Sequence, residues 1–464
     1  MLANDLAFAG AVRQAELIAS GEVSARELVT LYLDRINRLD PRLNAFRIVY
    51  AERALADACL VDRRRAAGGE LPPLLGVPIA VKDCIDVAGD VTACGSTAHG
   101  PPARFDSEVV SRLRSAGAIP IGKTNVPELC VFPFTESVAF GITRNPWDLS
   151  RTPGGSSGGS AVAVAAGLSS LALGSDAGGS IRIPAAYCGL FGLKPQRDRI
   201  SLGPADERSR GLGAYGPLTR TVRDAALLLD VTAASPGCMG SFTAAARRAS
   251  GKLRIGISTK LPPGLLMPLD ADYRGALDDA ATLVRGLGHS VESVDPPYRA
   301  AVLRFAMRYL RGVSDDAAAM AHPERLEPRT RAVARAGALV GERCAVKASA
   351  AARRDADRIN AIFERVDVLL TPPVAALPPS ADKWAGRGAV STVVGASRFS
   401  PWTMVWNHLG NPAACMPMGA TADGLPLAIQ LVGRPHDEET LFSLAAQIEL
   451  ERPWAQRRPA LAAS

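Results

Sequence analysis

With 464 residues, 47% of them hydrophobic and 21% charged, the chain has the composition of an ordinary soluble protein with a sizeable core. The formal charge of +7 does not signal nucleic acid. The basic residues are scattered, and the one tight run, Arg63-Arg64-Arg65, lies beside Asp57 and Asp62 on a helix-like stretch without interleaved aromatics. The most apolar window, residues 161–173, is broken by Gly167 and a serine pair and falls short of the about 20 apolar residues a membrane span requires.

The N-terminal stretch carries Asp5 and lacks a basic region leading into an apolar core, so it does not read as a signal peptide. Cys59, Cys84, Cys94, Cys130, Cys188, Cys238, Cys344 and Cys415 form no Cys-x-x-Cys pair and show no zinc spacing. They read as buried reduced thiols, which predicts a cytoplasmic location and no metal.

Ser24-Ala-Arg-Glu27 is a capping-box pattern, followed by Leu28, Leu31, Tyr32, Ile36 and Leu39 at helical spacing, and Pro41 is expected to close that helix. A short strand at 44–49 and a helix at 50–67 complete a helical cover without chemistry of its own. Gly76-Val-Pro-Ile-Ala-Val-Lys-Asp83 changes character, since a β-branched apolar run ending in lysine suits a strand buried on both faces. A helix at 107–117 and a second strand at 118–123 follow, and this alternation implies parallel βαβ units in an α/β sheet. Gly192-Leu-Lys-Pro195 reads as a turn, 197–216 as a long surface loop, 217–233 as a helix and 235–248 as a connection between halves. Further strands are expected near 254–257, 289–294, 366–370 and 427–432. Helices are expected at 271–286, across most of 296–365 and at 438–450.

Two glycine–serine clusters concentrate the chemistry. One is Thr152-Pro-Gly-Gly-Ser-Ser-Gly-Gly-Ser160 and the other Gly174-Ser-Asp-Ala-Gly-Gly-Ser-Ile-Arg-Ile-Pro184, with a short small-residue segment between them. Glycine lets a backbone approach a substrate closely, and serine supplies a nucleophile or a proton relay. Lys82 ends an apolar run, where desolvation disfavours an ammonium and a neutral lysine can act as a general base. A strand-end lysine reaching for water is the commoner case. Ser156 and Ser180 have no evident partner among the five histidines, and a serine–lysine arrangement needs none. Ala177-Gly-Gly-Ser180 can present successive N–H groups to a developing oxyanion, an effect typically worth about 3–4 kcal/mol. Gly154-Gly-Ser156-Ser-Gly158 also satisfies the Gly-x-Ser-x-Gly elbow of α/β-hydrolases, but that pattern demands a preceding strand where the proline-bearing 145–153 looks like loop. A phosphate-cradling loop fails for want of a Gly-Lys-Ser/Thr ending.

Together with Val81-Lys-Asp83, Gly122-Lys-Thr-Asn125, Arg144-Asn-Pro-Trp147, Gly189-Leu-Phe-Gly-Leu-Lys-Pro195 and, more weakly, residues 424–433, the clusters resemble the amidase signature family over most of the chain. The resemblance implies an α/β fold in one domain over 1–464: a large mixed β-sheet covered on both sides by α-helices. Its catalytic core would span about 70–235, with 250–464 completing the sheet and the substrate-side wall. It implies a Ser–Ser–Lys triad working without metal or cofactor. Ser180 is the nucleophile, Ser156 the bridging serine after a cis peptide bond, and Lys82 the base. The N–H groups of Ala177, Gly178, Gly179 and Ser180 form the oxyanion hole.

Cys130 and Val131 match positions that border the acyl pocket, with Phe132 beside them. Phe132, Phe134, Phe399, Trp402 and Trp406 are weaker pocket candidates, each better read as core. Asp176 and Arg182 read as a bracing ion pair, Ser175 as part of the same loop network and Cys188 as a buried structural thiol. The activity implied is hydrolysis of a linear carboxamide, a small molecule, to acid and ammonia or amine through an acyl-enzyme. Dimers are common in that family, so a homodimer is compatible. The alternative is the glutaminase subunit of a tRNA-dependent amidotransferase. Lys194-Pro-Gln-Arg-Asp-Arg-Ile-Ser201 departs from the Thr-Tyr-Gly-Arg-Val-Ser that follows Lys-Pro in that subfamily. A third alternative, a protein that keeps the fold without catalysis, is opposed by the intact Lys82, Ser156 and Ser180. The identity of the amide is left open.

Overall fold

A computed structural model describes residues 3–204, 208–234, 241–265, 267–396, 399 and 401–463. Among them, eleven strands build one sheet. Its spatial order is Phe46–Val49, Ile119–Thr124, Pro78–Lys82, Leu171–Asp176, Ala214–Thr219, Phe191–Lys194, Ala413–Ala420, Pro426–Gly433, Val368–Thr371, Arg254–Ile257 and Ser290–Ser293. Ile119–Thr124, Pro78–Lys82 and Leu171–Asp176 pair in parallel, as do Val368–Thr371, Arg254–Ile257 and Ser290–Ser293 at the other end. The strands between these two trios run antiparallel. One mixed sheet therefore carries strands from both 70–235 and 250–464.

All five residues of Pro78–Lys82 are buried, so layers cover both faces of the sheet there, as its unbroken apolar run requires. Gly158–Ala165 packs against that strand and against Leu171–Asp176, and each of its residues is buried. Glycine, alanine and valine let this helix lie close to the sheet. The helix Ala25–Leu43, preceded by Ala3–Ala7 and Ala11–Ser20, begins at its capping box: Glu27 N–H donates to Ser24 Oγ at 3.1 Å, and Ser24 N–H donates to the Glu27 carboxylate at 2.8 Å. Arg63 and Arg64 are exposed on the helix Ala51–Ala67.

Several local expectations are corrected. Pro41 does not close its helix, which runs Ala25–Leu43. Asn44 N–H returns to Asp40 O at 2.7 Å, and the Asp40 carboxylate takes Ala45 N–H at the same distance. Gly192-Leu-Lys-Pro195 is not a turn, because Phe191–Lys194 is a buried central strand. A Cβ on Gly192 would stand 2.7 Å from Ala185 Cβ, so this glycine serves close helix–sheet packing. The expected loop at 197–216 ends early, at the buried strand Ala214–Thr219, which also takes Pro217 out of the following helix Val222–Thr232. Ala413–Ala420 is a strand that no periodicity announced. Residues 235–240 of the expected connection, with Cys238, lie outside the described residues; Ser241–Ala245 beyond them is a short helix.

Candidate active site

Successive side chains of a strand point to opposite faces, and the end of Pro78–Lys82 uses that alternation to separate two charged groups. Asp83 turns to Lys123 at 3.0 Å and Arg47 at 2.7 Å. Lys82, fully buried, turns to the serine loops. Its Nζ lies 2.7 Å from Ser156 Oγ, 2.8 Å from Ser175 Oγ and 3.2 Å from Ser175 O. Hydroxyl and carbonyl oxygens thus surround this amine, with no carboxylate paired to it among the described residues.

The first glycine–serine cluster is loop up to Ser157, with no strand before Ser156, and the Gly155–Ser156 peptide bond is cis. A Cβ on Gly155 would lie 2.8 Å from the Phe134 backbone, so only glycine fits there. Ser157 locks the two clusters together: its N–H donates to Ser180 O at 3.1 Å, and its hydroxyl donates to Ser175 O at 3.1 Å.

The second cluster is wound around Asp176. Its carboxylate accepts the N–H groups of Gly179 at 2.7 Å and Ile181 at 3.1 Å, and the Arg182 guanidinium at 2.9 and 3.0 Å. Asn407 Nδ2 donates to it at 2.9 Å. Burial alone would raise the Asp176 carboxyl, but the Arg182 charge and these donors hold it well below the usual carboxylate range. Arg182 is itself fully buried and also donates to Thr403 O, Gln430 Oε1 and Asn407 Oδ1. Every one of these partners is internal, so the pair braces the loop. Gly179 has φ +126°, and a Cβ there would meet Thr403 Oγ1 at 2.5 Å. Its N–H is committed to Asp176, so of the four expected oxyanion donors Gly179 is already occupied, leaving Ala177, Gly178 and Ser180.

Ser180, partly exposed, sits where two cavities meet. One, of about 460 Å³, is lined by Ser156, Ser175, Thr92, His99, Tyr215 and Asp316, and also by Cys84, Cys94 and Cys130. The other, of about 310 Å³, is lined by Val131, Phe132, Ile183, Leu265, Phe305 and Met404. Cys130, Val131 and Phe132 therefore all border the space around Ser180, but on two sides of it. A hydrogen bond with Cys84, together with burial, holds the Cys130 thiol well above its ordinary range. Phe134, Phe399, Trp402 and Trp406 are buried and line neither cavity. Phe134 stacks on Phe132 and Trp384, and Trp406 packs edge-on to Tyr298. Cys188 is buried, and burial pushes its thiol far up.

Sequence reasoning missed Phe305 and Tyr309, which reach the site from the helix Ala301–Ala318, and Leu265 and Tyr215. The spacing of Val302, Phe305, Ala306, Tyr309 and Val313 was the available signal, but it looks the same in any helix that packs on a core. His99 lines the larger cavity with its Nδ1 2.9 Å from Gly100 O, and the other described histidines make their contacts elsewhere. No helix among the described residues is long and apolar enough to cross a membrane.

The family profile described as Amidase matches residues 27–442. A "Putative amidase AmiB2" of Mycobacterium bovis is 55% identical over 98% of this chain and 99% of its own length. A glutamyl-tRNA(Gln) amidotransferase subunit from Prochlorococcus marinus is more distant, 38% identical over 92% of this chain and 94% of its own. Among solved structures, that of 6-aminohexanoate cyclic dimer hydrolase complexed with substrate superimposes with a TM-score of 0.89 at 32% identity. The match covers 98% of this chain and 99% of that one. With its mixed eleven-stranded sheet, its two glycine–serine loops and these relatives, the chain belongs to the amidase signature family of hydrolases.

Proposed function

We propose that the protein hydrolyses a linear carboxamide to a carboxylic acid and ammonia or amine through a Ser180–Ser156–Lys82 relay and an acyl-enzyme. The observation that carries this reading is the 2.7 Å contact between Lys82 Nζ and Ser156 Oγ, buried beside a partly exposed Ser180. Neutral Lys82 accepts the Ser156 hydroxyl proton while Ser156 Oγ takes the proton of Ser180. Ser180 Oγ forms its bond to the amide carbon, and the carbonyl electron pair moves onto oxygen. The oxyanion is held by N–H groups of the Ala177-Gly178 turn and of Ser180, each such donor worth roughly 3 kcal/mol. When the tetrahedral species collapses, the C–N bond breaks and Lys82 returns a proton through Ser156 to the departing nitrogen. Water then enters along the same relay and releases the acid.

Support for the amidotransferase role is weaker. The relative bearing that name is the more distant one. The divergent segment after Pro195 is tied inward, with Arg199 paired to Glu438 at 2.9 Å and Arg197 donating to Asn407 O and His408 O. The test is phosphonylation by a fluorophosphonate probe, in which the serine oxygen bonds to phosphorus and fluoride leaves. Labelling should vanish in Ser180→Ala, whereas labelling that persists at Ser156 overturns the assignment of the nucleophile.

A further inference from the structure

The two cavities differ in chemistry, and Ser156 of the relay opens into only one of them. Ser180 and Tyr309 line both. Tyr309 is pinned as a partition, its hydroxyl donating to Val131 O at 2.6 Å. The loop divides along the same line, with Leu129 and Cys130 facing the larger chamber and Val131 and Phe132 the smaller. Ser156 and Ser175, the hydroxyls on Lys82 Nζ, line the larger chamber alone. The Ala177-Gly178 turn, proposed to hold the oxyanion, lies on the boundary, with Ala177 on the larger chamber and Gly178 on the smaller. A leaving nitrogen must receive its proton from the relay, so it departs into the chamber where Ser156 lies, among Thr92, His99 and Asp316. The acyl group then extends the opposite way from the Ser180 carbon.

Resting on the hydrolase reading above, we infer that the substrates are amides of apolar carboxylic acids, aryl-alkyl or medium-length alkyl, with an unsubstituted or small polar amine. Among the described residues, the smaller chamber, walled by Phe132, Ile183, Leu265, Phe305, Leu310 and Met404, offers no charged side chain to an acyl group. Its volume of about 310 Å³ lies at the lower end of small-molecule sites and suits one ring on a short arm. Val393, 47% exposed, carries the apolar lining out to the surface. The larger chamber sets hydroxyls, thiols, an imidazole and carboxylates beside Leu129, Leu202, Val313 and Met320, a mixed lining in which polar groups find partners that the smaller chamber lacks.

The inference is tested with two isomeric amides, phenylpropanamide and N-benzylacetamide, which carry the same atoms with the ring on opposite sides of the carbonyl. Phenylpropanamide should be the better substrate by kcat/KM. The straight series from acetamide to hexanamide should gain about fourfold for each methylene buried. Preference for N-benzylacetamide, or a flat response to acyl length, overturns the inference. Ala306→Phe and Val302→Phe, each filling the smaller chamber from the helix Ala301–Ala318, should collapse the ratio of phenylpropanamide to acetamide kcat/KM. Partial misfolding lowers both rates and leaves that ratio unchanged, and a ratio unchanged in a folded variant counts against the assignment. Should neither variant fold, the wild-type isomer pair alone decides. Absence of all amide turnover together with absence of fluorophosphonate labelling is a different failure, that of the hydrolase reading itself.

Discussion

Two lysines stand on adjacent strands, Lys82 at the end of Pro78–Lys82 and Lys123 within Ile119–Thr124, and both are fully buried. Lys123 is matched with Asp83 at 3.0 Å, and Arg47 closes on the same carboxylate from its other side. Lys82 is matched with serine hydroxyls and one carbonyl. A charge taken out of water needs a counter-charge or it neutralises. The difference separates a lysine matched to a carboxylate from a lysine matched to the hydroxyls through which the proposed relay would pass a proton. One residue of strand alternation, Lys82 to Asp83, keeps the nearest carboxylate on the structural side.

The comparison breaks most visibly at Lys82. Lys82→Ala should lower kcat for any amide by about 10²–10⁴-fold, the range expected when a positioned base is removed. The melting temperature should change little, because no carboxylate is orphaned. Lys82→Arg should be equally inactive, since a guanidinium stays charged at every working pH. Turnover retained in the arginine variant would end the proposed role for a neutral amine.

At Lys123 the consequences should be reversed. Lys123→Met leaves the buried Asp83 with Arg47 as its one cationic partner in contact among the described residues, and removing one partner of a buried pair typically costs about 3 kcal/mol or more. Denaturant titration should show that loss while the folded fraction still hydrolyses amide at near the parental kcat. Lys123→Arg, which keeps the charge, should recover part of the stability. A variant that unfolds no more easily yet loses turnover would place Lys123 in the chemistry and erase the contrast.

Much of this contrast was legible in the sequence, and the gaps have physical causes. Lys82 stands out as the end of a β-branched run, yet alone it reads as a strand-end lysine; its expected role, like those of Ser156 and Ser180, comes with the resemblance that the two glycine–serine clusters carry. Ala413–Ala420, by contrast, joins two halves of the sheet, pairing with Phe191–Lys194 on one side and Pro426–Gly433 on the other. Its sequence, Ala-Ala-Cys-Met-Pro-Met-Gly-Ala, lacks β-branched residues, and burial on both faces removes any alternation. Gly192 carries a turn residue into the strand Phe191–Lys194 because Ala185 of the adjoining helix leaves no room for a side chain there. The apolar chamber was illegible for another reason: Phe305 and Tyr309 become site residues only through the tertiary fold. That Gly179 N–H is turned to Asp176 likewise depends on a loop conformation that composition does not specify.

A third buried lysine sharpens the comparison with the smallest effect. Lys194 ends Phe191–Lys194 and donates to Pro195 O at 2.7 Å. Burial and the repulsion of Arg182 push it down to about 7, with Asp176 giving partial compensation. The folded state therefore holds fewer protons than the unfolded chain between about pH 7 and the ordinary lysine range. By linkage, stability contributed at this site rises with pH across that window, by up to about 1.4 kcal/mol per pH unit. Other groups titrate nearby, among them Glu449, which burial pushes up to about 8 and which acts in the opposite direction. The difference between wild type and Lys194→Met isolates the lysine: the variant should gain on the wild type steadily as pH falls from about 9 toward about 7. Parallel stability curves would mean that Lys194 stays charged in the fold. It would then keep its proton with no carboxylate in contact, and the expectation that burial among neutral oxygens disfavours the ammonium would fail at Lys194.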